Sequence, residues 1–137
     1  MTDTIDRTGA NNCFVCGPDN PSGLQLTFRL DADVCRSEYI PAADHIGFDN
    51  VVHGGLIYSA LDDVMANWLF LQGERAVTGK CEIRYRNPAE PGKQLLLESR
   101  LVSRKSRTAI LAARAIKADD QQVVAEATAT FILTDKA

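Results

Sequence analysis

The segment from Gly55 to about Leu71 limits this chain more than any other. Leu56, Ile57, Ala60, Leu61, Val64, Met65, Trp68 and Leu69 recur at helical spacing. Apolar residues cover most of the circumference, and the segment holds the chain's only tryptophan. A helix of that kind is not stable lying on a surface, so the rest of the chain has to enclose it. Gln72-Gly73 supplies its stop.

The remaining ordered stretches read as strands. Leu24, Leu26, Phe28 and Leu30 alternate with Gln25, Thr27 and Arg29, which predicts a half-buried strand. A second strand is expected over residues 34–40, ending at Pro41. Residues 41–53 have no clear period and read as a loop. Beyond the helix, strands are expected over 76–86, 94–103, 107–117 and 122–133. They are separated by turns at Asn87-Pro88 to Gly92, at Ser103-Arg104-Lys105-Ser106 and at Asp119-Asp120. In the strand 76–86, Cys81, Ile83 and Tyr85 share one face, and Glu82, Arg84 and Arg86 share the other. Two strands, one buried helix and a run of antiparallel strands make an α+β chain whose sheet must curl around the helix. Such a sheet leaves open edges, which favours dimerisation.

At 137 residues, 45% hydrophobic and 24% charged, one domain over residues 1–137 with an ordinary core is expected. Residues 1–12 read as a polar tail. The net charge of -3 and the lack of a long basic run give nucleic-acid binding no electrostatic support. The N-terminal residues have no apolar signal region, and no stretch approaches a membrane span, so a cytoplasmic chain is expected. The four cysteines, Cys13, Cys16, Cys35 and Cys81, are then expected as thiols.

The chemistry concentrates in His45 to Asp63. Gly54 and Gly55 open the helix, where unpaired N–H groups and the helix dipole can stabilise an oxyanion. Their simpler reading is a hinge for a tight loop-to-helix turn. Gly55, Ser59, Asp62 and Ala66 line one stripe of small residues, which leaves room beside Asp62. A carboxylate there can serve as general base or nucleophile, or it can simply pair with a backbone N–H or an arginine. Asp63, about 100° round the helix, competes for the role, and the residues alone do not choose between the two.

His53-Gly54-Gly55, followed after six intervening residues by Asp62, resembles the hotdog-fold acyl-CoA thioesterase superfamily, in its phenylacetate-pathway and THEM-like branch. Thr78 to Pro88 resembles the strand after the helix, and Leu95 to Phe131 the remaining meander, so the likeness covers about residues 20–133. The resemblance implies a hotdog fold, a curled antiparallel sheet around the helix at about 55–71, and hydrolysis of an acyl-CoA to free acid and coenzyme A. It selects Asp62 over Asp63 as base or nucleophile. It gives Gly54 the oxyanion N–H, His53 the support of that hole, and Thr78 the attacking water. It further implies a homodimer with active sites shared between protomers, or a tetramer. No cofactor or metal is implied, coenzyme A being part of the substrate. Asn50 stands where many relatives carry glycine, and asparagine tolerates a left-handed backbone. With Gly55 and Ser59 it is expected to line the substrate.

Arginines suit the phosphates of coenzyme A, which nominates Arg84, Arg104 and Arg107, with Arg86 and Lys105 beside them. A solvated hairpin tip explains Arg104 to Arg107 equally well. Tyr58, Trp68 and Phe70 are candidates to bound the acyl pocket. Cys13 and Cys16 form a C-x-x-C pair that with Cys35 and Cys81 could make a four-sulfur zinc site, but a zinc ribbon usually shows two paired motifs and the second is missing, so no metal is expected. The competing functions are a non-catalytic acyl-CoA binder, which would need an output module, and a hotdog hydratase, whose motif is not seen.

Overall fold

The structure is a computed structural model and describes residues 7–134. Its elements are β1 (Arg29–Asp31), β2 (Val34–Tyr39), α1 (Gly54–Phe70), β3 (Arg75–Tyr85), β4 (Leu95–Lys105), β5 (Thr108–Lys117) and β6 (Val123–Thr134). The strands form one antiparallel sheet in the order β1-β2-β4-β5-β6-β3, and α1 packs against β2 to β6. This is the curled sheet around a single helix that the sequence predicts.

The enclosure has a compositional cause. Ile57, Leu61, Val64, Met65, Trp68 and Leu69 of α1 are buried against Leu95 and Leu97 of β4, Leu111 of β5 and Phe131 of β6. Burying each such large side chain contributes about 1.5–3 kcal/mol. Between them, β5 and β6 present Ala109, Ala113, Ala115, Ala125, Ala127 and Ala129, all buried. Short side chains on the inner face let the sheet approach and bend round the helix. Register shifts at Thr78/Lys80, Leu101/Ser103 and Ala115/Ile116 add local twist in the same direction. Two polar contacts fix the helix further. Ser99 Oγ donates to the Val64 carbonyl at 2.6 Å, and Trp68 Nε1 donates to the Asp33 carbonyl at 2.8 Å.

Two expectations need correction. The first strand was expected to begin at Leu24, but the ladder covers only Arg29–Asp31. Gln25 has a φ of 53°, which breaks the extended run. Leu24 and Leu26 instead donate backbone N–H groups to the carbonyls of Phe14 and Val15, at 2.8 Å each. The alternation still reports burial, since Leu26 faces the core. Of the tail expected over residues 1–12, residues 1–6 lie outside the described residues. Residues 7–12 form turns, and Arg7 Nη2 ties them down by donating to the carbonyls of Ala10 (2.9 Å) and Cys16 (3.1 Å).

The sheet has unequal edges. β1 is three residues long, whereas β3 has 11 residues, with Val77 and Tyr85 at least half exposed. Among the described residues no helix is long and apolar enough to cross a membrane.

Candidate active site

The start of α1 is held by His45 and His53. The His45 carbonyl accepts the His53 N–H at 3.0 Å, and the His45 ring sits 2.9 Å from the Tyr39 hydroxyl. Before the helix, Ile46 bridges to Val52, and the turn between them places Asn50 at a φ of 62°. That left-handed backbone is where asparagine substitutes for glycine at little cost.

His53 is the helix N-cap, and its Nδ1 accepts the Gly55 N–H at 2.9 Å. The Gly55 donor is therefore already committed. No acceptor among the described residues takes the Gly54 N–H, which is left at the positive end of the helix dipole. Space beside both glycines is tight. A Cβ on Gly54 would meet the Tyr85 ring at 3.3 Å, and one on Gly55 would meet the His53 ring at 3.1 Å. Tyr85, from β3, donates its hydroxyl to the Gly54 carbonyl at 2.7 Å.

Two turns further along, Asp62 Oδ1 accepts the Thr78 hydroxyl at 2.7 Å. A bulge makes this contact possible. In β3, Cys81 pairs with Ala129 and Thr78 with Phe131, and Gly79 is the extra residue between them. Strict alternation from Cys81 would turn Thr78 outward; the added residue brings it back to the helix face. Burial pushes the Asp62 carboxyl above its ordinary value, and the Thr78 bond partly opposes that shift. Tyr58 lies nearby. A hydrogen bond with the Cys81 thiol, together with burial, pushes its hydroxyl up to about 12.

Asp63 points elsewhere. Asn67 Nδ2 donates to its Oδ2 at 3.1 Å, and Cys13 Sγ lies 3.9 Å from its Oδ1. Burial raises this carboxyl too. Burial and the neighbouring Asp63 push the Cys16 thiol up to about 12, so it is a poor nucleophile at neutral pH.

Within one chain the structure brings Asp62 to Thr78 and, about two helical turns away, Gly54 to Tyr85, with His53 capping the helix there; it does not bring the two groups together. Ser59 lies on the same stretch, with its hydroxyl donated to the Gly55 carbonyl at 2.9 Å. The basic residues are not gathered there within one chain. Arg84 pairs in register with Glu126 on the outer face of the sheet, because it alternates with Cys81, Ile83 and Tyr85. Arg104 is engaged by Glu74, just past the far end of α1, and Arg107 Nη2 donates to the Leu133 carbonyl at 3.1 Å. Tyr85 belongs at this site and was not nominated. Its place on the Cys81–Ile83–Tyr85 face was the available signal.

A family model described as the thioesterase superfamily matches residues 49–125. The chain belongs to the thioesterase superfamily. The match begins just before the His53-Gly54-Gly55 turn and takes in α1 and the strands that flank it. Solved structures agree on the hotdog fold. A thioesterase superfamily protein aligns with a TM-score of 0.82 at 23% identity, covering 96% of this chain and 70% of that one. The Escherichia coli PaaI protein of the phenylacetic acid degradation operon aligns with a TM-score of 0.76 at 19% identity, covering 83% of each chain. A Streptococcus mutans protein bound to acetyl CoA aligns with a TM-score of 0.74 at 22% identity, covering 81% of this chain and 90% of that one. No curated protein matches this thioesterase-superfamily chain significantly by sequence.

Proposed function

We propose that this chain is an acyl-CoA thioesterase, forming free acid and coenzyme A, with Asp62 as general base. The observation that carries the reading is the Asp62–Thr78 pair on the helix whose first N–H, that of Gly54, has no acceptor among the described residues. Thr78 donates to one Asp62 oxygen. Its own oxygen and the other carboxylate oxygen are left to hold a water. Asp62 takes that water's proton as the new C–O bond forms, and the Gly54 N–H donates to the carbonyl oxygen as that oxygen becomes negative. Collapse breaks the C–S bond, and the proton passes to the leaving thiolate. His53 holds the helix start in place. A carboxyl raised by burial is a stronger base than an ordinary one, which suits the task. Membership of the thioesterase superfamily and a structural neighbour carrying acetyl CoA support a coenzyme A ester as substrate.

The catalytic unit we propose is a homodimer joined along β3. Gly54 and Asp62 are eight residues apart on one helix, or about 12 Å. A carbonyl about 3 Å from its donor and about 3–3.5 Å from the attacking water, with that water about 3 Å from Asp62, spans under about 10 Å and does not fill that gap. This favours Gly54 of one protomer working with Asp62 of its partner. The long open β3 edge offers the means of pairing. Residues 7–134 would serve as one catalytic domain.

The test is thiol release from a panel of aromatic, short-chain and medium-chain acyl-CoAs. Turnover on at least one member, lost in Asp62→Asn with folding intact, is the expected result. Tight acyl-CoA binding without turnover on any member would make the chain a binding protein instead.

A further inference from the structure

The N-terminal C-x-x-C pair, which the sequence leaves without further ligands, gains one from the helix. Cys13 Sγ, Cys16 Sγ and a carboxylate oxygen of Asp63 all lie within 4.8 Å of one another. In a tetrahedral zinc site, with Zn–S of about 2.3 Å and Zn–O of about 2.0–2.2 Å, ligand atoms sit about 3.6–3.8 Å apart. The Cys13–Asp63 separation of 3.9 Å is already close to that, and the set closes with a shift of about 1 Å. The third ligand comes from the helix and not from a second cysteine pair, because the loop over residues 13–16 packs on the turn of α1 that carries Asp63.

The surroundings suit a cation held by anionic ligands. Asn67 Nδ2 donates to Asp63 Oδ2 at 3.1 Å and to the Asp63 carbonyl at 2.9 Å, and lies 3.9 Å from Cys16 Sγ. It thus orients the carboxylate from behind, as outer-sphere partners do at metal sites. Arg7 Nη2 lies 3.4 Å from Cys16 Sγ, and Arg7 Nε is buried with no hydrogen-bond partner among the described residues. Two thiolates and a carboxylate carry three negative charges. A divalent cation and the Arg7 guanidinium balance them. A cavity of about 310 Å³ adjoins the same three residues and gives room for a water as fourth ligand. Its lining includes Ala66, Phe70 and Val77; Asp62 and Thr78 do not line it.

We propose that Cys13, Cys16 and Asp63 form a three-ligand site for a zinc-class divalent cation, which clamps the N-terminal segment onto α1. The clamp is structural. It ties residues 7–26, otherwise held by the backbone bonds of Leu24 and Leu26 and the contacts of Arg7, to the turn of the helix behind Asp62.

The experiment is a cobalt titration of the reduced, chelator-treated full chain, followed by absorbance and by melting temperature. One equivalent of cobalt should bind, with a thiolate-to-cobalt charge-transfer band in the near ultraviolet and a melting temperature that rises with free metal. Cys13→Ser, Cys16→Ser and Asp63→Asn should each weaken or abolish the band, whereas Cys81→Ser should keep it. Asn67→Ala should weaken binding by about 10–100-fold. The wild-type result decides the matter even if a variant fails to fold. Absence of stoichiometric binding, binding without the charge-transfer band, or a band unchanged in folded Cys16→Ser would each overturn the proposal.

Discussion

Asp62 and Asp63 are neighbours in sequence and opposites in setting. Asp62 faces the open β3 edge, where it accepts a hydrogen bond from Thr78. Asp63 lies under the N-terminal segment, with Asn67, Cys13, Cys16 and Arg7 gathered around it. Burial raises both carboxyls. What differs is the partners, since both are half-buried. In the proposed reading Asp62, with Thr78 beside it, serves the chemistry, and Asp63, with Asn67 and the N-terminal cysteines beside it, holds structure together. A raised carboxyl therefore does not by itself mark a catalytic group.

The strongest way to break this comparison is Asp62→Asn, which should cut kcat by about 10²–10⁴-fold while leaving cobalt binding at the Cys13–Cys16 pair intact. If it abolished the cobalt band instead, the two carboxylates would have been assigned the wrong way round.

Gly54→Ala should come next, with a loss of about 10²–10³-fold, because its Cβ would press on the Tyr85 ring and shift the N–H. Mixing this variant with Asp62→Asn sharpens the claim of shared sites. Each is inactive alone, but a mixed dimer holds one intact site, so random exchange should restore about a quarter of wild-type activity. No recovery after demonstrated exchange would put Gly54 and Asp62 of the same chain in one site.

Thr78→Val should reduce turnover about tenfold, the usual scale for a hydrogen bond to a charged group. It should also move the pH profile. The base works when ionised, so activity falls as pH drops through the Asp62 pKa. Because the Thr78 bond lowers that pKa, removing it should shift the acidic limb to higher pH. An unmoved limb would mean that the limb reports some other group.

The smallest effect is on stability. The folded-state pKa of Asp62 lies above its unfolded value. At pH above both, the folded state carries a charge that its surroundings disfavour, and below both that cost is gone. Asp62→Asn should therefore melt slightly higher than wild type at neutral pH, and the gain should shrink as pH falls. A lower melting temperature at neutral pH would show that the carboxylate is stabilising.

How far the sequence foretold this structure depended on periodicity. The apolar surround of Leu56 to Leu69 was enough to predict an enclosed helix, and enclosure required a curled sheet. Alternation gave the strands to within a residue or two, except where Gln25, at positive φ, cut the first one short. At the site, the helix period placed Asp62 beside a small-residue stripe, but only a family resemblance singled it out from Asp63. Thr78 shows where counting fails. Alternation from Cys81 puts it on the wrong face, and Gly79, a glycine inside a strand, was the sign of the bulge that corrects it. The union of Cys13 and Cys16 with Asp63 was beyond reach, because it joins residues about fifty positions apart through loop packing that leaves no period.

The most direct test of the central claim is thiol release from the acyl-CoA panel, with wild type and Asp62→Asn assayed together and both shown to be folded. The account predicts turnover on at least one ester by wild type and its collapse in the variant. Equal turnover by the two proteins would contradict it.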